Sequence, residues 1–538
     1  MGYIKGSDRA QQTLFPATID EYVDKANPVR VIAAFTGMLD YKELEFKRAE
    51  AAATGRPPYE PRALMGLYIY GHQNRVRSSR KLERECERNL EVIWLMEDLK
   101  PDFKTIADFR KDNGEAIKKV MVKFRMWCME EGLYGRKMAS IDGSKFRAVN
   151  SRDRNYDENR LKKMIERENA EVEKYLKEME EADQQESGDA GLRVLELEKK
   201  MARMKEIVDR HEELLRRLKE SGQRQLSLTD EEAQLMKTNN GGHEVSFNAQ
   251  VVVDDENKLI VECEVTNDCN DKGQLANMAK KAKEALQVDK LDVLADRGYF
   301  DGTTIKECEE SGITPYLPTP RSSAKGKGVT AADSFSYDER RDLYVCPQGE
   351  ELTFRTKETS HNKVYKIYRT GACAGCPKRE QCTKSKTGRK LRRWVDQAVV
   401  DRLKKRMLEH PELMKKRKAM AEHPFGTIKR AMDQGYFLMK GIKKVTTEIN
   451  LTVLAYNIKR VITILGVEKI VKSMEARAAS TGLAGIALFL RLITEWKAIA
   501  SRFNKIAHGK APYSIIRLFE NDLYRQASFH TVSADGGI

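Results

Sequence analysis

The chain has 538 residues, with 97 Lys and Arg against 82 Asp and Glu, a formal charge of +15 and 40% hydrophobic residues. That length predicts about three folded units with a sizeable core, and the composition excludes a fibrous or wholly disordered chain. Nine cysteines in so long a chain exclude a disulfide scaffold, and the apolar stretch 482–490 stops at Arg491, too short to span a bilayer.

Residues 1–135 read as a helical N-terminal domain. The opening MGYIKGSDRAQQ lacks the apolar region of a secretory signal, which predicts a cytoplasmic protein with reduced thiols. Tyr59 to Arg62 opens an apolar stretch running to Tyr70, an arginine-bearing segment follows, and Lys81 to Met96 places Leu82, Cys86, Leu90 and Ile93 near helical spacing. After Pro101, Thr105 is the expected cap of a further helix, with Asp108 closing a weak capping box. Short helices separated by arginines suit a helix-turn-helix-like DNA-binding module, with Arg77 and Arg80 as candidate DNA contacts; they equally suit ordinary helical packing.

The character changes over 136–320. Lys137 to Phe146 alternates and predicts a strand carrying Asp142 near its end. Residues 151–240 then interrupt as a charged helical-hairpin insertion. Its seam is Leu197, Met201, Met204, Val208, His211, Leu215 and Leu218, and the polar break 181–191 turns the chain back. The insertion is slightly acidic, which argues against its gripping DNA, and His211 reads as a tolerated core residue. His243–Val253 and Leu259–Thr266 are predicted strands joined at Asp254–Asn257. A helix over 271–286, a short buried strand 290–294 ending just before Asp296, a helix 303–311 and a strand 313–317 follow. With the insertion removed, the pattern is a compact mixed α/β sheet.

Asp142 and Asp296 thus stand at the ends of predicted strands that can be neighbours. Two carboxylates held close repel each other unless divalent cations fill the gap. Hard oxygen donors suit Mg²⁺ or Mn²⁺, and a pair of such ions serves in-line phosphoryl displacement. A third acid normally completes such a cage, and Glu422 is the candidate, with Glu409 and Glu412 nearby. Pro424 is expected to kink that helix just beyond Glu422. Taken singly, each aspartate reads as an ordinary strand-end or turn carboxylate.

Residues 321–400 form a basic, cysteine-rich insertion. Over 321–440 there are 29 Lys and Arg against 14 Asp and Glu, so the rest of the chain is close to neutral. A regional surplus mixed with Tyr, Phe and Trp394 is the footprint of a phosphate-binding surface, whereas any single run reads as a solvated helix face. Cys346, Cys373, Cys376 and Cys382 have zinc-ribbon-like spacing and are either structural Zn²⁺ ligands or four free thiols. Cys86, Cys128, Cys263, Cys269 and Cys308 read as packing residues. Residues 401–465 carry the third acid and a helix over 436–465, whose polar side holds Glu448, Asn450, Tyr456, Asn457, Lys459 and Arg460. Residues 466–538 form a C-terminal helical tail, with a docking or dimer helix over 486–500 and a frayed end over 532–538.

These residues carry a resemblance. Tyr59–Arg80, Pro101–Arg110, Ser140-Ile141-Asp142-Gly143-Ser144, Phe247-Asn248-Ala249-Gln250, Ala295-Asp296-Arg297-Gly298-Tyr299 and Glu422-His423-Pro424-Phe425-Gly426 through Lys429 occur in an order that resembles a bacterial DDE transposase. The resemblance is specifically to the insertion-sequence family 1182 branch of the IS-four-like group, and it covers roughly residues 10–465. It implies an RNase H-like mixed-sheet core in which Asp142, Asp296 and Glu422 hold Mg²⁺ or Mn²⁺. Lys429 matches the lysine associated with the element end in the related signature. Lys418 and Lys415 stand where that signature has Arg and Tyr, which keeps charge at the first position and loses an aromatic ring at the second. Lys415, Lys418, Lys429, Arg430, Arg297, Arg77 and Arg80 are the expected DNA contacts. The implied partners are double-stranded DNA, as element ends and target, and further copies of the chain. The implied reaction is metal-dependent cleavage of the ends followed by strand transfer. A nuclease of the same fold that never joins strands, and a catalytically silent DNA-binding protein, are the alternatives.

Overall fold

The computed structural model describes residues 18–50, 57–150, 154–183, 190–223, 225–238, 241–320 and 329–480. The apolar stretch 482–490, the expected helix over 486–500 and the end 532–538 lie outside the described residues. Residues 1–468 make one compact unit and 469–538 a second, of which 469–480 are helical.

The first unit opens with helices α1 Val29–Gly37, α2 Pro61–Gln73, α3 Ser79–Arg88, α4 Leu90–Leu95, α5 Phe103–Asp112 and α6 Gly114–Glu130. Pro61 starts α2, where its missing N–H costs nothing. The helix expected over 81–96 is two helices. The side-chain oxygen of Asn89 accepts the N–H groups of Glu91 (3.1 Å) and Val92 (3.4 Å), ending α3 and capping α4. Asp102, not Thr105, caps α5. Its carbonyl already accepts the first helical bond from Ile106, leaving its carboxylate placed for the Thr105 N–H at 2.8 Å.

The central sheet is built from β1 Met138–Arg147, β4 Gln234–Lys237, β5 His243–Asp254, β6 Ile260–Thr266, β7 Leu291–Leu294 and β8 Ile313–Tyr316, in the order β4–β5–β1–β7–β8 with β6 also paired to β5. Strands β1, β5 and β6 pair antiparallel, and β1, β7 and β8 parallel, as an RNase H-like core requires. Both faces of β5 are covered, so nearly all of it is buried. Its odd-numbered residues Val245 to Val253 pack with Phe146, Phe425, Ile428, Phe437, Ile449, Val453 and Tyr456. By strand alternation, Asn248 and Gln250 face the opposite side. Helix α9 Gln274–Leu286 packs across one face of the sheet, mainly on β6 and β5, and α10 Gly302–Glu310 lies against α9 and β8.

The insertion is a hairpin of α7 Glu158–Asp183 and α8 Ala190–Ser221, footed on the strand pair β2 Asn155–Asp157 and β3 Gln225–Ser227. Leu161, Leu214, Leu218 and Leu226 close its base. On the predicted seam, His211 Nδ1 lies 2.7 Å from Glu168 Oε2, so this polar position has a partner across the hairpin.

The basic insertion is a second, five-stranded antiparallel sheet, which the sequence pattern had not suggested. It is ordered β13–β12–β11–β10–β9, from β9 Ser336–Asp338, β10 Leu343–Val345, β11 Glu351–Ser360, β12 Lys363–Arg369 and β13 Leu391–Trp394, with α11 Arg379–Cys382 before the last strand. Phe335, Leu352, Tyr368 and Leu391 form its small core. Most of β11 is exposed and polar, so the alternation that betrays a strand is weak there.

Helices α12 Gln397–Glu409 and α13 Leu413–Gly426 follow, then a π-helical turn Thr427–Ala431 and the long α14 Ile442–Leu465. Tyr436, expected as a helix start, belongs instead to the connection; its backbone bridges to Arg147, and α14 begins only after Gly441 at φ +82°. Of the expected polar side of α14, Glu448, Asn450, Tyr456 and Asn457 are turned inward, while Lys459 is exposed and Arg460 half-buried. Asn457 exchanges two 2.8 Å hydrogen bonds with the Ile260 backbone, and the Cys263 thiol donates to Asn450 Oδ1 at 3.1 Å.

Candidate active site

The parallel pairing of β1 and β7 sets Ser140 opposite Leu294, where β7 ends. Two residues further along each chain stand Asp142 and Asp296, side by side although distant in sequence. Asp142 is therefore in the middle of β1 and not near its end; what ends beside it is the neighbouring strand. Its cross-strand partner is Val251, one of the residues facing α13 and α14, so the Asp142 carboxylate is presented to α13.

Arg417 of α13 occupies that position. Its Nη2 donates to Asp142 Oδ1 at 3.0 Å and lies 3.9 Å from Asp296 Oδ2. Burial pushes the Asp142 carboxyl up to about 6; Arg417 opposes that rise, while Asp296 and Asp271 add to it. Asp296 Oδ1 also accepts the Gly298 N–H at 2.7 Å, which turns the chain after β7. Gly143 has no room for a side chain, because a Cβ there would run into Gln250 and Asp271.

A hydrogen-bonded cluster supports the pair from the other side. Asp271 Oδ1 accepts from Asn248 Nδ2 at 2.8 Å and Gln250 Nε2 at 2.7 Å, and lies 3.5 Å from Lys145 Nζ. The Tyr299 hydroxyl donates to Gln250 Oε1. Sequence reasoning noted Asn248, Gln250 and Tyr299 only as motif letters and missed Asp271 and Arg417. Spacing alone carries no signal for either, because each arrives from an element separate from the two strands.

The donor set fits a divalent cation, since two hard carboxylates already share one positive group, the guanidinium of Arg417. Glu422 does not stand with them. Its side chain is 67% exposed and its ion pair is with Lys418, 3.7 Å away. It lies five residues beyond Arg417, about 140° around the helix. Among the described residues, no group of three or more His, Cys, Asp or Glu is arranged to hold one ion.

The expected DNA contacts divide. Lys415, Lys418, Arg430, Arg297 and Arg80 are exposed, Arg80 lying over the Phe103 ring at 4.3 Å. Arg77 must be corrected. It is 5% exposed, donating to Glu448 Oε1 (3.0 Å) and to the carbonyls of Tyr436 (2.9 Å) and Asp433 (3.1 Å), so it ties α14 to the N-terminal helices and offers nothing to a phosphate. Lys429 is also turned inward, its ammonium donating to the Lys145 carbonyl at 2.7 Å above the Phe146 ring. The regional positive charge instead surrounds a trough of about 1550 Å³ lined by Arg389, Lys390, Arg392, Arg402, Lys404 and Lys405, among others.

Cys346, Cys373, Cys376 and Cys382 line one cavity of about 390 Å³. Cys346 Sγ accepts the Gln348 N–H at 3.3 Å and Cys373 Sγ the Arg389 N–H at 3.5 Å, the kind of backbone donation a thiolate takes. They are not drawn into a closed ligand set, so the structure shows no zinc site. Four of the remaining five cysteines are buried as expected, but Cys269 is exposed.

Two family models match the chain: a transposase DDE domain over residues 345–462 and a transposase domain of the DUF772 class over residues 17–112. Searches of curated proteins and of solved structures gave no match. Among the described residues, no helix is long and apolar enough to cross a membrane.

Proposed function

From the premise that this chain is a DNA transposase of the DDE type, as its two transposase domains indicate, we propose that it cuts the ends of a bacterial insertion sequence and transfers them to target DNA. We place it in the family 1182 branch. The observation that carries this reading is the meeting of Asp142 and Asp296 around one positive charge at the end of β7. DDE domains work with divalent metal ions, and here Asp142 and Asp296 would hold Mg²⁺ or Mn²⁺, with Glu422 as the third ligand. Bound there, the ions supply activation of the attacking oxygen and neutralisation of the leaving one.

The protein's own part is positional. Strand β1 and the turn after β7 fix the two carboxylates, and the Asp271 cluster packs behind Gly143, where β1 pairs with β5. Lys415, Lys418, Arg430, Arg297 and Arg80 would contact phosphates of double-stranded DNA, with the basic trough beside β13 and α12 extending that surface, so end binding would weaken steeply with salt. The active form would be a homo-oligomer on DNA, acting in the cytoplasm. Asp142→Asn should abolish cleavage of a DNA fragment carrying the element end while leaving end binding in a gel-shift assay measurable; normal cleavage by this variant rules the assignment out. Strand transfer with pre-cut ends separates the transposase from a nuclease of the same fold.

The four-thiol cavity would hold a structural Zn²⁺, stabilising the five-stranded sheet and taking no part in the chemistry. Purified protein should carry one zinc per chain by elemental analysis and lose it in Cys373→Ser/Cys376→Ser; metal-free protein with an unchanged melting temperature on zinc addition refutes this.

A further inference from the structure

We infer that Arg417 is an internal counter-cation, holding Asp142 and Asp296 together until divalent ions load, and that loading shifts the C-terminal part of α13 by one residue so that Glu422 comes onto the face that Arg417 occupies. This rests on the reading of the two aspartates as metal ligands.

Arg417 fills the place of a cation without being a settled structural partner. A guanidinium presents five donors and is best held by bidentate pairing. Here a single nitrogen, Nη2, serves both aspartates, while Nε is buried with no hydrogen-bond partner. Such a group is held less firmly than a fully bonded one. Glu422, conversely, has little to lose by moving: its partner Lys418 is as exposed as it is.

The helix supplies a means of exchange. Directly after α13 comes the π-helical turn Thr427–Ala431, which carries one residue more than an α-turn of the same rise. If that extra residue migrates toward the N-terminus of α13, each residue it passes takes the place of the one before it. Glu422 then occupies the position of Ala421, which is buried and four residues beyond Arg417 on the same face. Pro424, inside α13, has no N–H to give, so the ladder of backbone bonds is already interrupted between the two arrangements.

The test is Mn²⁺ binding to the full chain without DNA, read by the electron paramagnetic resonance of free Mn²⁺. Arg417→Gln should bind Mn²⁺ about tenfold more tightly than wild type, because the competing positive charge is gone. Arg417→Met, which keeps the apolar stem, should do the same and decides the matter if the Gln variant does not fold. Adding Glu422→Gln to either variant should reverse most of the gain. Affinity equal to or weaker than wild type in a folded Arg417 variant overturns the counter-cation, and a gain that survives Glu422→Gln overturns the exchange. Asp142→Asn serves as the separate control: if it binds Mn²⁺ like wild type, the aspartate pair is not the metal site and the underlying reading fails, whatever Arg417 does.

Discussion

Arg77 and Arg417 both sit against carboxylates within the same compact unit, and they are built differently. Arg77 and Glu448 have side chains 5% and 0% exposed, and their polar atoms are well supplied with partners. Arg77 reaches two backbone carbonyls and stacks on the Tyr436 ring, while Glu448 also accepts the N–H groups of Leu438 and Met439. Arg417 is 17% exposed against aspartates at 21% and 43%, reaches them through one nitrogen and leaves another without a partner. The first arrangement joins α14 to the connection before it and to the N-terminal helices. The second concentrates negative charge at a strand end and balances it incompletely. A satisfied buried charge pair reads as architecture; an undersatisfied one is where chemistry is to be sought.

That contrast can be broken at either end. Arg77→Ala removes the guanidinium bonded to the buried Glu448, leaving Arg110 as a nearby cation, and should cost ~3–5 kcal/mol of unfolding free energy, measured by denaturant titration. A loss under about 1 kcal/mol would mean that the Arg77 pair is no more structural than a surface ion pair. The Arg417 end gives a smaller, pH-dependent signature. The Asp142 carboxyl titrates at about 6 in the folded protein, above its unfolded value, so the folded state binds the extra proton between those values and stability falls as pH rises through about 6. Acidifying from pH 7 to pH 5 should therefore stabilise this region by about 1–2 kcal/mol, allowing for its partial exposure, and Asp142→Asn should remove that dependence. A wild-type protein whose stability is flat over that interval, apart from its other titrating groups as seen in the variant, contradicts the crowded acidic site.

Much of the sheet was legible because strands announce themselves locally. The alternation in Lys137–Phe146 and His243–Val253, the Asp254 turn and the heptad seam around Val208 each lie within one stretch of chain, where side-chain period follows directly from backbone geometry. The five-stranded basic sheet was not legible, since its exposed strands carry charge on both faces. Asp142 and Asp296 were recognisable as a pair only through their place near strands; that they meet follows from the β1–β7 register, which sequence spacing does not encode. Arg77 shows the converse error: an arginine between two helices reads as a DNA contact until α14 supplies the buried carboxylate that claims it.

What this chain carries in its residues alone is thus the kind of each segment, the regional positive charge and the acidic groups able to hold a cation. Which of those groups share a point in space, and whether a charge faces water or Glu448, was decided by tertiary packing. Hydrophobic periodicity acts over a few residues, whereas the partner of a buried charge is chosen by whichever distant element covers it.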